Sequence, residues 1–278
     1  MTRVLLEAKT NPSAVTDHEL DLAVNIMFDR LDKLRVKDAS LAREGKRIVV
    51  ILSTGRVGDA LPVLTRPGRL ELFDLQANLT GPSLDAQGFP RPSSSRPRER
   101  EKTVVVTCTK DARHCPGVNA EPSQTYYYLF KYDPDNKRNP VPEMTGADFD
   151  PTGTRQDFDP SPGGGGGPIV LMQFTKEGGD KFHEITRELA RRGRGLHNRI
   201  GGTDEQAFQQ FAIVLDREIR SAPTIDYNEN PDGIPGDNGA QITGIGSIGE
   251  AKDLALVLQT GALPLEFRVV STESRTPS

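Results

Sequence analysis

The two most legible strand patterns of this 278-residue chain lie at its opposite ends, and that placement constrains the fold more than anything between them. Near the C-terminus Leu263, Leu265, Phe267 and Val269 fall on one face, with Glu266 and Arg268 on the other, the period of a half-buried strand. At the N-terminus Val4, Leu6 and Ala8 share a face of residues 2–8. A helix start follows: Thr16 can cap, Glu19 can reach back, and Val15 and Leu20 suit a hydrophobic staple. Leu20, Val24, Met27, Phe28, Leu31 and Leu34 then recur at helical spacing, so one face is buried.

Residues 47–52, apolar on both faces, predict a central second strand; 57–64 predict a short helix and 69–75 a third strand. At the far end Ser247 and Glu250 repeat the capping pattern, Ala251, Leu254, Ala255 and Leu258 form a stripe, and Gly261 stops the helix before the last strand. The order is β-α-β-β-…-α-β, that of a ferredoxin-like unit interrupted in its second half. The chain is therefore expected to be α+β: a ferredoxin-like base from 1–80 and 247–278, with an α+β head, 81–246, inserted before the last helix and strand. Thr80, Gly81, Gly244 and Gly246 are the expected hinges between them.

The insert reads as strands at 103–107, 125–132, 169–174 and 211–219, with a helix capped by Thr175 and closed at Gly193. Residues 81–102 and 148–168 read as flexible loops, the second ending in five glycines. Asp-Phe-Asp-Pro occurs at 148–151 and 157–160, a local duplication rather than a solenoid repeat. The 27 glycines and 21 prolines agree with many loops. A net charge of −4 disfavours general nucleic-acid binding, and no apolar run approaches the roughly 20 residues that cross a bilayer.

Catalytic chemistry finds no foothold. His18, His114, His183 and His197 lack zinc-helix spacing, and neither a nucleophile elbow nor a phosphate loop is present. Asp226, Asn228 and Asn230 begin like a calcium loop, but Pro231 replaces the required glycine and Asp237 the required glutamate. Asp148, Asp150, Asp157 and Asp159 are ordinary turn chemistry. The basic run Arg187, Arg191, Arg192, Arg194 and Arg199 suits a helix C-terminus, with anionic lipid heads or an acidic client as the functional alternative. No metal or cofactor is expected. Cys108 and Cys115 suit a small disulfide loop, with free thiols or a metal pair as alternatives.

Residues 211–225 and 242–267 resemble SecD, the protein-export subunit that works with SecF beside the Sec channel. Leu215-Asp216, Ser221-Ala222-Pro223, Ile242-Thr243-Gly244, Glu250-Ala251 and Gly261-Ala262-Leu263-Pro264 match the family pattern. Residues 168–182 resemble its strand-to-helix entry, with Phe174-Thr175 and Glu177-Gly178 in place. Arg217 stands where the family usually has glycine, predicting a looser turn, and 82–140 match no part of the pattern. The family's membrane helices are absent, so the chain reads as its first large extracytoplasmic domain.

The resemblance implies a non-enzymatic domain on the outer face of the bacterial plasma membrane. Its implied partners are a SecF-like subunit, the Sec channel and unfolded preproteins. The proton-motive force would act through membrane helices outside this chain. Main-chain strand addition is a sequence-tolerant mode of capture. It places the expected groove on Ile169, Leu171 and Gln173 of one strand and Phe211, Ile213 and Leu215 of another. The alternative is a free-standing extracytoplasmic peptide-binding or scaffold module, uncoupled from any channel.

Overall fold

The computed structural model describes residues 1–110, 112, 114–160, 166–243 and 245–274. In chain order its elements are β1 (Thr2–Ala8), α1 (Asp17–Lys33), β2 (Ser40–Glu44), β3 (Arg47–Leu52), α2 (Val57–Thr65), β4 (Leu70–Asp74) and α3 (Leu75–Asn78). Then come β5 (Thr103–Cys108), β6 (Tyr126–Lys131), β7 (Met144–Thr145), β8 (Phe149–Phe158), β9 (Pro168–Phe174), α4 (Lys176–Ile200) and α5 (Asp204–Ala207). The last are β10 (Gln209–Leu215), β11 (Glu218–Ser221), β12 (Thr224–Ile225), β13 (Ala240–Ile242), α6 (Ile248–Thr260) and β14 (Phe267–Ser274). The chain divides into two compact units, Met1–Arg69 with Asp253–Ser278, and Leu70–Lys252.

The first unit joins the two ends of the chain in one antiparallel sheet, ordered β14-β1-β3-β2. β1 lies against β14 from Thr2↔Ser274 to Ala8↔Phe267 and against β3 from Thr2↔Leu52 to Glu7↔Arg47. Val4, Leu6, Ile48, Val50 and Leu52 turn one face inward, where Leu20, Met27 and Leu31 of α1 and Leu64 of α2 complete a buried core. The predicted cap closes α1: Thr16 Oγ1 accepts from the Glu19 N–H at 3.2 Å, and Glu19 Oε2 accepts from the Thr16 N–H at 2.8 Å. Arg30, also on α1, is fully buried. It donates to the carbonyls of Val63, Leu64 and Arg66 and to that of Gly261.

Two expectations change here. β2 is a strand that the sequence reading lacks; it is a short edge strand with no buried residue, so it carries little apolar alternation. Residues 70–74, expected as a strand of the base, instead pair with β10 from Leu70↔Leu215 to Asp74↔Phe211, in the other unit. All five residues of β4 are buried, which its position inside a large sheet requires.

The second unit holds a seven-stranded sheet, β6-β5-β11-β10-β4-β7 with β12 beside β10, and a three-stranded sheet, β13-β9-β8. Rings of Phe149, Phe174, Phe182 and Phe211 follow one another at centroid distances of 4.9, 4.7 and 5.4 Å, linking β8, β9, α4 and β10. Phe149–Phe158, expected within a loop, is a strand. The first Asp-Phe-Asp-Pro copy sits at its bulge, where the register jumps between Asp150 and Arg155, and this hides the strand pattern. α4 does not stop at Gly193 but continues to Ile200. Gly193 serves packing: a Cβ there would lie 2.9 Å from the Tyr227 ring.

The expected strand 211–219 is a hairpin, β10 to β11, turning on Asp216 and Arg217 at φ of 53° and 65°. Such a two-residue turn with both residues left-handed is tight, so the absence of glycine at Arg217 does not loosen it. Residues 81–102 also carry local order: Asp85 Oδ1 accepts from the N–H groups of Gln87 and Phe89, and Ser93 pairs with Tyr127 through both backbone bonds. In the five-glycine run, Gly163, Gly164 and Gly165 lie outside the described residues, and Gly167 O accepts from the Asp159 N–H.

Cys108 and Cys115 are joined as a disulfide, and both are buried. Next to it the Tyr128 hydroxyl donates to Pro116 O at 2.6 Å, and burial holds that phenol's pKa well above its usual value. The link closes a short loop, whose restriction of the unfolded chain is worth about 2.5 kcal/mol. Cys108→Ser with Cys115→Ser should lower stability by about that amount in urea denaturation. A double variant as stable as the parent would show that packing alone fixes this loop.

Candidate functional site

Strand addition needs an edge whose peptide groups are free. β9 is the middle strand of its sheet, and β10 lies between β4 and β11. Leu171 is paired with Gln241 on one side and Arg155 on the other; Ile213 with Leu72 and Ser221. Ile169, Phe211, Ile213 and Leu215 are buried, Leu171 is half-buried, and only Gln173 is exposed. The edges expected on these two strands are therefore already used. Apolar content marks a segment as a strand but favours the middle of a sheet over its border.

The expected hinge residues are likewise displaced. The chain passes between units at Arg69/Leu70 and Lys252/Asp253, because β4 is hydrogen-bonded into the second unit. Thr80 and Gly81 lie inside that unit, and the Thr80 N–H and hydroxyl both donate to Leu129 O. Gly246 lies in the bend before α6, and Gly244 is outside the described residues.

Two open clefts lie among the described residues of the second unit. One, of about 490 Å³, is walled by the half-buried Phe89, Leu196 and Phe208, with Gln76, Arg192 and Arg199 among its polar groups. The other, of about 830 Å³, lies at the N-terminal end of α4 between Phe174, Asp180, His183 and Pro235, and includes Gln173. The first was invisible in the sequence, because Phe89 stands in a stretch that reads as linker and Leu196 lies beyond the expected helix end.

A polar network lies beside the first cleft. Arg192 grips Asp74 through two bonds of 2.5 and 2.7 Å, and Asp74 also caps α3 by accepting from the Ala77 N–H. Glu143 accepts from the Asp74 N–H and the Asn78 amide; burial raises its carboxyl pKa, and the nearby Asp74 adds to the rise. At the far end of α4 the Tyr227 phenol donates to Asp204 at 2.6 Å. That bond, after burial, pushes Tyr227 up to about 12, and the same bond pulls Asp204 down.

The basic run on α4 is largely paired: Arg187 with Glu184, Arg191 with Glu188, Arg192 with Asp74, and Arg194 with the Tyr227 carbonyl. Asp226 folds back on the Asn228 and Glu229 N–H groups, and Asp148 caps Thr145 and pairs with Lys181. Among the described residues no group of three or more His, Cys, Asp or Glu converges as a metal site.

Comparison with known proteins agrees with the resemblance in 211–267. A family model for the SecDF P1 head subdomain matches residues 138–265. The SecDF translocase subunit of Thermus thermophilus is 27% identical over 99% of this chain and 30% of its own length. The SecD subunit of Acidaminococcus fermentans is 30% identical over all of this chain and 45% of its own. A solved structure described as a membrane component SecDF that enhances protein export superposes with a TM-score of 0.59 at 25% identity, covering 99% of this chain and 100% of that one.

The chain is similar to the SecD/SecDF family over its whole length. Its residues 138–265 match the P1 head subdomain, and its mixed α+β fold is that of the SecDF relatives. It spans less than half the length of the curated SecD and SecDF relatives named above. A crystal structure of SecDF in a super-membrane-facing form matches as well, with a TM-score of 0.60 over 98% of this chain and 30% of the other. Gly178, within the matching strand-to-helix entry, lies against the Asp148 carbonyl, where a Cβ would come within 1.9 Å.

Proposed function

We propose that this P1 domain serves a Sec export machine by capturing and releasing preprotein segments on the extracytoplasmic face of the plasma membrane. The observation that carries the reading is the match over essentially the whole chain to a SecDF structure of the same extent. The buried Cys108–Cys115 disulfide supports an oxidising compartment. In this reading the first unit is a ferredoxin-like base, because β14-β1-β3-β2 with α1 and α6 follows that order, and the second unit is a head inserted into it. Its partners are a SecF-like subunit and the Sec channel, with the proton-motive force acting through membrane helices of the longer family members. The domain itself performs no covalent chemistry.

The test is a titration of the purified chain with a permanently unfolded secretory protein, reduced and carboxymethylated α-lactalbumin, against the native, folded form. Preferential binding of the unfolded form is the expected result. Equal affinity for the two forms, or none for either, would sink capture by this domain.

A further inference from the structure

β8 stands at the border of its sheet, and its register shows which peptide groups face outward. The Asp159 N–H donates to Gly167 O at 2.9 Å, so 159 and 167 form a hydrogen-bonded pair. Antiparallel pairs alternate. Asp157/Ile169 and Arg155/Leu171 therefore bond to one another, whereas Gln156/Val170 and Phe158/Pro168 do not. Pro168, with no N–H to give, fits the second class. Val170 faces Ile242 of β13 instead. The peptide groups of Gln156 and Phe158 thus point away from β9. Asp157 Oδ1 takes the Phe158 N–H at 2.8 Å, and the Gln156 N–H has no partner among the described residues.

The other borders of this unit differ. β6 is covered by its own chain, through the reciprocal Ser93–Tyr127 bonds and the Thr80 N–H on Leu129 O. β7 and β13 are two and three residues long. The ten-residue β8 has no strand on its outer side among the described residues, and it ends on the ring of Phe158, which is 50% exposed. An edge guarded at one border and left unguarded at the other, beside an exposed aromatic ring, has the two parts that strand addition uses: main-chain groups for affinity and an apolar contact for register.

We propose that the edge of β8 around Gln156 receives an extended segment of an unfolded polypeptide as a fourth strand of the β13-β9-β8 sheet, with an apolar side chain of that segment on Phe158. This rests on the capture reading and gives it a site on a different strand from β9 or β10. Recognition through peptide groups accepts many sequences, and a few main-chain bonds release readily.

The experiment repeats the carboxymethylated α-lactalbumin titration with Gln156→Pro and Phe158→Ser. It adds amide exchange of the wild-type chain with and without the probe. Proline at 156 removes an N–H that β9 does not use, so the β8–β9 ladder is retained. Each variant should weaken binding about tenfold, the loss of one or two net main-chain bonds or of a buried ring. The Gln156 amide of the wild type should gain protection when the probe binds, a result that does not depend on how either variant folds. Intact binding with the Gln156 amide unprotected would overturn the β8 site while leaving capture standing. Absence of all binding would overturn both. Concentration-dependent dimerisation lost in Gln156→Pro would assign the edge to a second copy of the chain and overturn the proposal.

Discussion

Arg30→Met is expected to lower the stability of the first unit by about 3–5 kcal/mol, a large part of what holds a domain of this size together. The guanidinium is fully buried. Its Nη1 donates to the carbonyls of Val63, Leu64 and Arg66 at 3.0, 3.1 and 2.6 Å, its Nη2 to Gly261 O at 2.8 Å, and its Nε to Thr260 Oγ1 at 3.1 Å. These acceptors lie at the C-terminal ends of α2 and α6, where helix carbonyls lack intrahelical partners and carry partial negative charge. One side chain therefore closes two helix ends that are almost two hundred residues apart in sequence. Methionine fills the stem's volume but satisfies none of the carbonyls. Lysine, with one donor group in place of a fork, should fall between the two. Urea denaturation of the three proteins gives the order, and amide exchange gives the place: 4–6 and 48–52 should lose protection while 211–215 keep theirs. A loss below about 1 kcal/mol would show that water satisfies these helix ends without Arg30, and uniform loss across both units would show that its effect is not confined to the first.

Arg30 also shows what the sequence could and could not convey. Local signals survived into the structure where they depended on a few neighbouring residues. The Thr16–Glu19 capping box closes α1, the alternation at 2–8 marks β1, and the Ser221-Ala222-Pro223 and Gly261-Ala262-Leu263-Pro264 matches pointed to the family, whereas the alternation at 263–269 holds only in part: Leu263 and Leu265 are buried ahead of β14, which starts at Phe267, and Val269 is exposed. Signals that depend on distant partners did not. An arginine within an otherwise amphipathic helix reads as surface, because its acceptors are contributed by residues 63–66 and 260–261. The strand at 70–74 gave no sign of which sheet it would join, since β10 lies some 140 positions away. Gly193 read as a stop because glycine commonly closes helices, yet here it makes room for Tyr227. The strands expected to capture a client are rich in apolar residues, and that character places β9 and β10 in the middle of sheets. The outward-facing peptide groups of β8 lie instead at Gln156 and Phe158, beyond a bulge that breaks its alternation.

Gly178→Ala should cost about 3 kcal/mol, although alanine is the better helix former by roughly 1 kcal/mol. Gly178 lies in the first turn of α4, its N–H held by Thr175 Oγ1 at 3.0 Å. A Cβ on it would stand 1.9 Å from the backbone oxygen of Asp148 and 2.8 Å from the carbonyl carbon. That oxygen cannot swing aside. It accepts from the Thr175 N–H at 3.0 Å, while the Asp148 carboxylate accepts from the Thr145 N–H and from Lys181 at 2.8 and 2.6 Å. An added methyl must therefore separate the start of α4 from the turn before β8, and with it the packed rings of Phe149, Phe174 and Phe182. Gly195, on the same helix, has nothing within 4 Å of its missing Cβ. There the same substitution should stabilise by about 0.5–1 kcal/mol, through propensity and a less flexible unfolded chain. Opposite signs at two glycines of one helix, measured by urea denaturation, would tie the Glu177-Gly178 element of the SecD pattern to close backbone contact. Equal effects at both positions would remove contact as the reason and leave only helix propensity to account for either glycine.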